Sequence, residues 1–298
     1  MIPAAPTIEI VNALPRLPPR SADSNKGNFG RVLVVGGSRG MAGATILCGS
    51  AALRAGAGLV KVAVPSEILP TVAAGNPCYT TFALAQDEEG RIAHAAMPAL
   101  LKLMESHDVL AVGPGLDRGP WLTSVVTKLA GRCPKPMVID ADGLNAFVNQ
   151  PAKLHAGGYP RILTPHPGEF ARLVQLNTNT VQARRRELAI NFAREHECIL
   201  VLKGRGTVVT DGRQLFENET GNPGLATGGT GDVLTGVIAA LVGQGLGIFE
   251  AAQLGVYLHG LAGDLARDEV GEISLIATDV LRWLPEAFRR HHRSANTD

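Results

Sequence analysis

The chain has 298 residues, 45% of them hydrophobic and 18% charged, with a formal net charge of +1. That length allows one large α/β domain or two smaller ones. The composition is that of a globular protein, and the near-zero charge argues against any general electrostatic pull toward nucleic acid or an anionic membrane.

Residues 1–25, rich in Pro and polar groups, read as an arm leading into a single domain over 26–290. They lack the basic start and unbroken apolar core of a signal peptide. The expected order from there is a strand RVLVVG (31–36), a Gly-rich turn, a small-residue helix from about Ala42 to Ala57, and a strand LVKVAVP (59–65). A helix-period segment (94–106) precedes strand DVLAVG (108–113), and another (120–131) precedes PMVID (136–140). Strand RILT (161–164), helices at 167–175 and 180–196, and strand CILVLKG (198–204) follow. TVVTDG (207–212) and QLFEN (214–218) predict a hairpin turning at Asp211-Gly212. From Thr230 to about Arg290 nearly everything is helical, and 291–298 form a polar tail. Strand–helix alternation at this spacing predicts right-handed βαβ crossovers and a mainly parallel sheet covered on both faces.

No stretch approaches the roughly 20 apolar residues needed to span a bilayer. Cys48, Cys78, Cys133 and Cys198 form no CxxC pair and read as free, mostly buried thiols of a reducing compartment, so a cytoplasmic setting is expected.

In open parallel sheets, ligands collect where the loops leave the carboxyl ends of the strands. GGSRGMAG, GPGLDRG, DADGLN, TPHPGE and KGRGT all fall there. The strongest constellation is Asn222-Pro223-Gly224-Leu225-Ala226-Thr227-Gly228-Gly229-Thr230-Gly231-Asp232, running straight into an apolar helix. Bare glycine amides and the orphan N–H groups of a helix start suit an anion, above all one whose charge grows in a transition state. Asp232, in the first turn, is placed to take a proton from a substrate hydroxyl; the bland alternative is a simple helix cap. In KGRGT, Lys203 can neutralise a phosphate while the amides of Gly204, Arg205, Gly206 and Thr207 follow a nucleotide. Read from its residues alone, the chain is an enzyme that uses a nucleotide polyphosphate on a small hydroxylated substrate.

GGSRGMAGA (36–44) is a poor GxGxxG match, with no acidic residue ending the next strand, which argues against an ordinary NAD-dependent oxidoreductase. Prolines on both sides of His166 stiffen its loop and aim the imidazole, and Glu169 is a candidate helix-start residue or an organiser of water and metal near phosphates. Asp140 and Asp142 read as helix caps or as polar support for the site, both open. His94, His107, His155, His196 and His259 show no metal-binding spacing, so packed or solvated roles are expected. There is no P-loop, GxSxG elbow or kinase HRD/DFG set.

NKGNFGRVLVVGGSRGMAGA, VGPGL, VIDADGLN, LTPHPGEFARL, VLKGRGTVV and NPGLATGGTGDVLTG, in that order over roughly residues 25–285, resemble the NAD(P)H-hydrate dehydratases of the ribokinase-like superfamily. Asn25 departs from the pattern, which has His there. The resemblance implies a three-layer αβα fold with a mainly parallel central sheet. It also implies dehydration of the S form of NADHX or NADPHX (hydrated NADH or NADPH). A nucleotide, ADP in stand-alone bacterial members and ATP in others, phosphorylates the ring hydroxyl, and loss of phosphate restores the double bond. By position, Ala42, Gly115, His166 and Asp232 are the implied substrate contacts, with Asp232 catalytic. Lys203, Gly204, Arg205, Gly206, Thr207 and Gly231 are the implied nucleotide contacts, and Gly228, Gly229, Thr230 and Gly231 the implied phosphoryl anion hole. Mg2+ is expected with ligands that no motif identifies. The resemblance further implies a homo-oligomer, first of all a tetramer. Twenty-five leading residues are too few for the epimerase domain often fused to this family, so a separate NAD(P)HX epimerase is the expected companion. Two competing readings are a small-molecule kinase of the same superfamily (thiazole or hydroxymethylpyrimidine type) and a nucleotide-binding regulator without turnover.

Overall fold

The computed structural model describes residues 7–154, 158–159 and 161–294; His155, the first six residues of the arm and the last four of the tail lie outside it. Ten strands form one sheet: β1 (Glu9–Ile10), β2 (Arg31–Val35), β3 (Leu59–Pro65), β4 (Thr80–Leu84), β5 (Val109–Val112), β6 (Met137–Ile139), β7 (Arg161–Leu163), β8 (Ile199–Leu202), β9 (Thr207–Thr210) and β10 (Gln214–Asn218). Their order is β1-β10-β9-β8-β7-β6-β5-β2-β3-β4, all parallel except β9, which runs against both its neighbours. The sheet grows outward from β2 in one direction to β4, then resumes on the other side of β2 at β5. This reversal opens a crevice at the carboxyl ends of β2 and β5.

The alternation of a pleated strand splits the core in two. Val32 and Val34 face one apolar layer, built with α1 (Ala42–Arg54), α8 (Thr230–Gly243), α9 (Ile248–Val270) and α10 (Ala277–Ser294). Leu33 and Val35 face the other, which holds α3 (Met97–Glu105), α4 (Pro120–Arg132), α5 (Pro167–Leu173) and α7 (Arg185–Glu195). The short α2 (Leu69–Gly75) leads into β4, and α6 (Thr178–Ala183) joins α5 to α7. The result is the expected three-layer αβα architecture.

Several boundaries differ from the sequence reading. Helix α1 ends at Arg54, before Ala55-Gly56, where Gly56 takes a positive φ of 99°. The segment expected as one helix over 180–196 is two, broken at Arg184 with φ −128°. The polar tail is helical as far as Ser294, since α10 carries its apolar face to Ala287 and Phe288 and the chain simply continues the turn. Strand β1, within the arm, pairs with β10 through Glu9 and Ile10.

Two close approaches fix the layers. Arg161 opens β7 yet is fully buried; its guanidinium donates to the carbonyls of Lys135 (2.7 Å), Cys133 (2.8 Å) and Ala130. It thereby sits on the negative end of α4. Helices α1 and α8 meet backbone to backbone at Gly236, where a Cβ would lie 2.1 Å from the Cys48 carbonyl oxygen and 3.0 Å from the Ala51 Cβ. Gly236→Ala must push the two helices apart and is expected to destabilise the fold by about 1–3 kcal/mol in denaturant titration. A loss below a few tenths would show that the contact relaxes freely.

Candidate active site

Loops leave the carboxyl ends of adjacent strands and are stitched to one another through the backbone. Gly37 donates to the Pro114 carbonyl (2.8 Å), Asp140 to Val112 (3.1 Å), Thr164 to Ile139 (3.2 Å) and Lys203 to Pro165 (2.9 Å). Gly113, at φ 129°, has no room for a Cβ, which would fall 1.8 Å from the Asp140 carbonyl oxygen. Gly115, at φ 64°, lies against the start of α1, 2.7 Å by the same measure from the Met41 carbonyl oxygen. That contact brings Gly115 beside Ala42, the first residue of α1.

Helix α8 starts with Gly229 as its N-cap, in the left-handed region at φ 90°, and no side chain caps it. The amides of Thr230, Gly231 and Asp232 are therefore free of side-chain partners, at the positive end of a long helix. A Cβ on Gly228 would meet nothing within 4 Å, so the loop is open at that position. One on Gly231 would lie 3.2 Å from Lys203 Nζ and 3.6 Å from Asp140 Oδ2, which places the glycine loop directly beside the lysine.

Lys203 sits between two buried carboxylates. Its Nζ is 2.9 Å from Asp140 Oδ1 and 4.0 Å from Glu169 Oε2. Burial works against the ammonium, but Asp140, Glu169 and Asp232 outweigh it and hold its pKa above the ordinary value. Asp140 is 1% exposed, and its Oδ2 accepts from Thr235 Oγ1 at 2.8 Å. Of the two roles open for Asp140 in sequence, the structure rejects the cap: the residue starts the short helix Ala141–Phe147 but makes no capping bond. Asp142 instead accepts from the Asp117 amide (2.9 Å) and ties two of the loops together.

Asp232 gathers the electrostatic consequence. Burial first, then the like charge of Asp140, push its carboxyl up to about 7, with Lys203 opposing the rise. A carboxylate near neutrality is suited to proton transfer at physiological pH. His166 caps α5: its Nδ1 accepts from the amides of Gly168 (3.0 Å) and Glu169 (3.3 Å). Because Nδ1 accepts, the proton of the neutral ring resides on Nε2, 3.4 Å from Glu169 Oε1. Burial, Lys203 and Arg172 lower the His166 pKa and favour that neutral form.

In the KGRGT loop, Gly204 and Gly206 adopt φ of 127° and 63°, and Thr207 Oγ1 closes the turn on the Gly204 carbonyl at 2.9 Å. Arg205 is exposed. Arg185, unremarked in the sequence reading, anchors this loop by donating to the carbonyls of Leu202 (2.8 Å), Lys203 (3.1 Å) and Gly206 (3.3 Å). Nothing in the sequence marks it beyond an arginine on a helix. Thr235 was the more legible omission, a lone hydroxyl in the apolar run of α8. Among the described residues no group of three or more His, Cys, Asp or Glu could hold a metal ion, and no helix is long and apolar enough to cross a membrane.

The profile of the NAD(P)H-hydrate dehydratase family matches residues 32–286. The chain is 45% identical over 284 residues to the bifunctional NAD(P)H-hydrate repair enzyme of Moorella thermoacetica, covering 95% of this chain and 53% of that protein. It thus spans about half the length of this curated relative. It is 38% identical over 279 residues to the ADP-dependent (S)-NAD(P)H-hydrate dehydratase of Neisseria meningitidis, covering 89% of this chain and 88% of that protein. Among solved structures, the ADP/ATP-dependent NAD(P)H-hydrate dehydratase from Bacillus subtilis, co-crystallised with ATP and Mg2+, superposes with a TM-score of 0.78 at 31% identity, covering 92% of this chain and 94% of that one. An uncapped helix start, a lysine between carboxylates and a near-neutral aspartate thus stand on a ribokinase-like frame that the profile matches from β2 into α10, and the chain belongs to the NAD(P)H-hydrate dehydratase family.

Proposed function

We propose that this chain dehydrates the S form of NADHX and NADPHX, using ADP, with ATP as the alternative donor. The observation that carries the reading is Asp232, a carboxylate held near neutrality at the mouth of an uncapped helix start and beside Lys203. Asp232 takes the proton of the ring hydroxyl as its oxygen bonds to the terminal phosphorus, and the bond from that phosphorus to the nucleotide's bridging oxygen breaks. The amides of Gly228 to Gly231 take up the charge on the moving group. The carbon–oxygen bond to the new phosphate then breaks with its electron pair leaving on phosphate, a neighbouring ring carbon gives its proton to the departing phosphate, and the double bond returns. With ADP the products are AMP, phosphate and NAD(P)H.

Ala42, Gly115 and His166 line the substrate side, His166 presenting its Nε2 proton. Lys203 to Thr207 and Gly231 hold the nucleotide. The surroundings suit Mg2+ carried in with the nucleotide: Asp140, Glu169 and Asp232 gather around Lys203, so a polyphosphate would add negative charge to an acidic cluster. One or two of these carboxylates, together with the phosphates, would hold the ion, which would supply neutralisation of charge on the donor. The expected context is a cytoplasmic homotetramer.

The test is to mix the purified protein with hydrated NADPH and either ADP or ATP in Mg2+ and follow the near-ultraviolet absorbance of the dihydronicotinamide. Recovery of absorbance with AMP and phosphate as products establishes the reaction; a stable phosphoester would identify a kinase, and no nucleotide consumption a binding protein. Gly228→Ala sharpens the anion hole, since the added methyl meets nothing in the folded chain. Stability should stay within about 0.5 kcal/mol, while kcat/KM for the nucleotide falls about 100-fold by displacement of the phosphoryl group. Unchanged kcat/KM would remove this loop from the site.

A further inference from the structure

Helix α9 holds much of the segment that leads to Asp232. Thr220 Oγ1 donates to the Tyr257 carbonyl (2.9 Å), and Asp264 accepts from the Gly221 amide (2.8 Å) and from Asn222 Nδ2 (3.0 Å). Gly260 and Gly263 permit the close approach: Cβ atoms there would fall 2.3 Å from Thr220 Oγ1 and 2.7 Å from Leu225 Cδ2. On the same helix lies His259, 9% exposed, with Nε2 2.9 Å from the Thr230 carbonyl oxygen. A carbonyl only accepts, so Nε2 carries the proton. Burial drives the ring's pKa down to about 4, with Lys203 acting in the same sense against the favourable bond to Thr230, so the imidazole is neutral.

The oxygen that His259 grips belongs to the peptide unit whose other end is the Gly231 N–H. The unit is planar and conjugated, so a bond donated to its oxygen fixes the direction of that N–H and makes it a better donor. We propose that His259 is a positioning residue for phosphoryl transfer, holding and polarising the Thr230–Gly231 peptide so that the Gly231 amide meets the migrating phosphoryl group. This rests on the proposed function in assigning the group transferred, not in the peptide geometry itself. The sequence alone left His259 as a packed histidine in an apolar helix, which it also is; what it bonds gives it a second role.

The test compares His259→Phe, which keeps bulk and loses the donor, with His259→Gln, which retains an N–H. For His259→Phe, kcat should fall about 10- to 100-fold, less than or equal to the loss of a direct oxyanion donor. The Kd for the nucleotide should stay within about threefold, and His259→Gln should recover most of the rate. In the protein without ligands, the Gly231 amide proton resonance should move upfield in His259→Phe and return toward wild type in His259→Gln. That readout needs no substrate, so it separates failure here from failure of the dehydratase reading, which the wild-type assay alone decides. A wild-type kcat in His259→Phe, an unmoved Gly231 amide, or a rate loss matched by loss of nucleotide binding overturns the proposal. Should His259→Phe not fold, His259→Met supplies the donorless comparison; if neither folds while His259→Gln does, the residue is structural and the proposal is wrong.

Discussion

Asp232→Asn is expected to lower kcat by about 10²- to 10⁴-fold, the range a positioned general base contributes, while leaving nucleotide affinity close to wild type. The same substitution should leave the fold intact or strengthen it, and the sign follows from proton linkage. The Asp232 pKa is about 7 in the folded protein against an ordinary value of 3.8. Between those values the native state holds the proton more tightly than the unfolded chain, so stability falls as pH rises from about 4 to about 7. The stability lost is fully present below the unfolded value and gone above the folded one. Asn resembles the protonated acid and carries no such penalty. Thermal unfolding should therefore find variant and wild type alike near pH 4, with the variant more stable at pH 8. In wild type, kcat/KM should decline below about 7 as the base is protonated. A variant that unfolds earlier than wild type at pH 8 would show that the carboxylate supports the helix, and the general-base assignment would fail.

The features that could be read from the sequence are those whose cause is local. β2, β3, β5, β6 and β8 are β-branched, apolar runs closed by glycine or a polar turn, the pattern of strands buried on both faces. The glycine loop before Asp232 was visible because bare amides leave a compositional mark. β4 was missed: TTFAL is partly exposed at the sheet edge and offers neither a solid apolar run nor clean alternation. The break at Arg184 was missed because no Gly or Pro marks it. Within the site, Asp140 could not be resolved between cap and support, because its partners are Lys203, 63 positions away, and Thr235, 95 away. Arg185 and His259 act through backbone carbonyls, which have no residue identity to betray them. Local chemistry announces itself in sequence, whereas positioning exists only once the sheet brings distant loops together.

Opposite substitutions in the Asp140–Lys203 pair provide the second large effect, because they should move Asp232 in opposite directions. Lys203→Met removes the cation that opposes the rise in the Asp232 pKa, so the acid limb of kcat/KM should shift to higher pH. It also strips the counter-charge from Asp140, 1% exposed, and from Glu169, whose own pKa burial already raises. Breaking a buried pair by removing one partner costs about 3–5 kcal/mol. The lower end is expected here, because the Lys203 side chain is 20% exposed and water can follow it in. Nucleotide binding should weaken as well. Asp140→Asn keeps one oxygen in place of the two that now accept separately from Thr235 and Lys203, so it loses one of those bonds, and it deletes the like charge that raises Asp232; the acid limb should move to lower pH. Profiles of kcat/KM against pH for the two variants decide the matter. If both limbs shift the same way, or neither moves, Asp232 does not titrate in the field of this pair and the electrostatic description of the site is wrong.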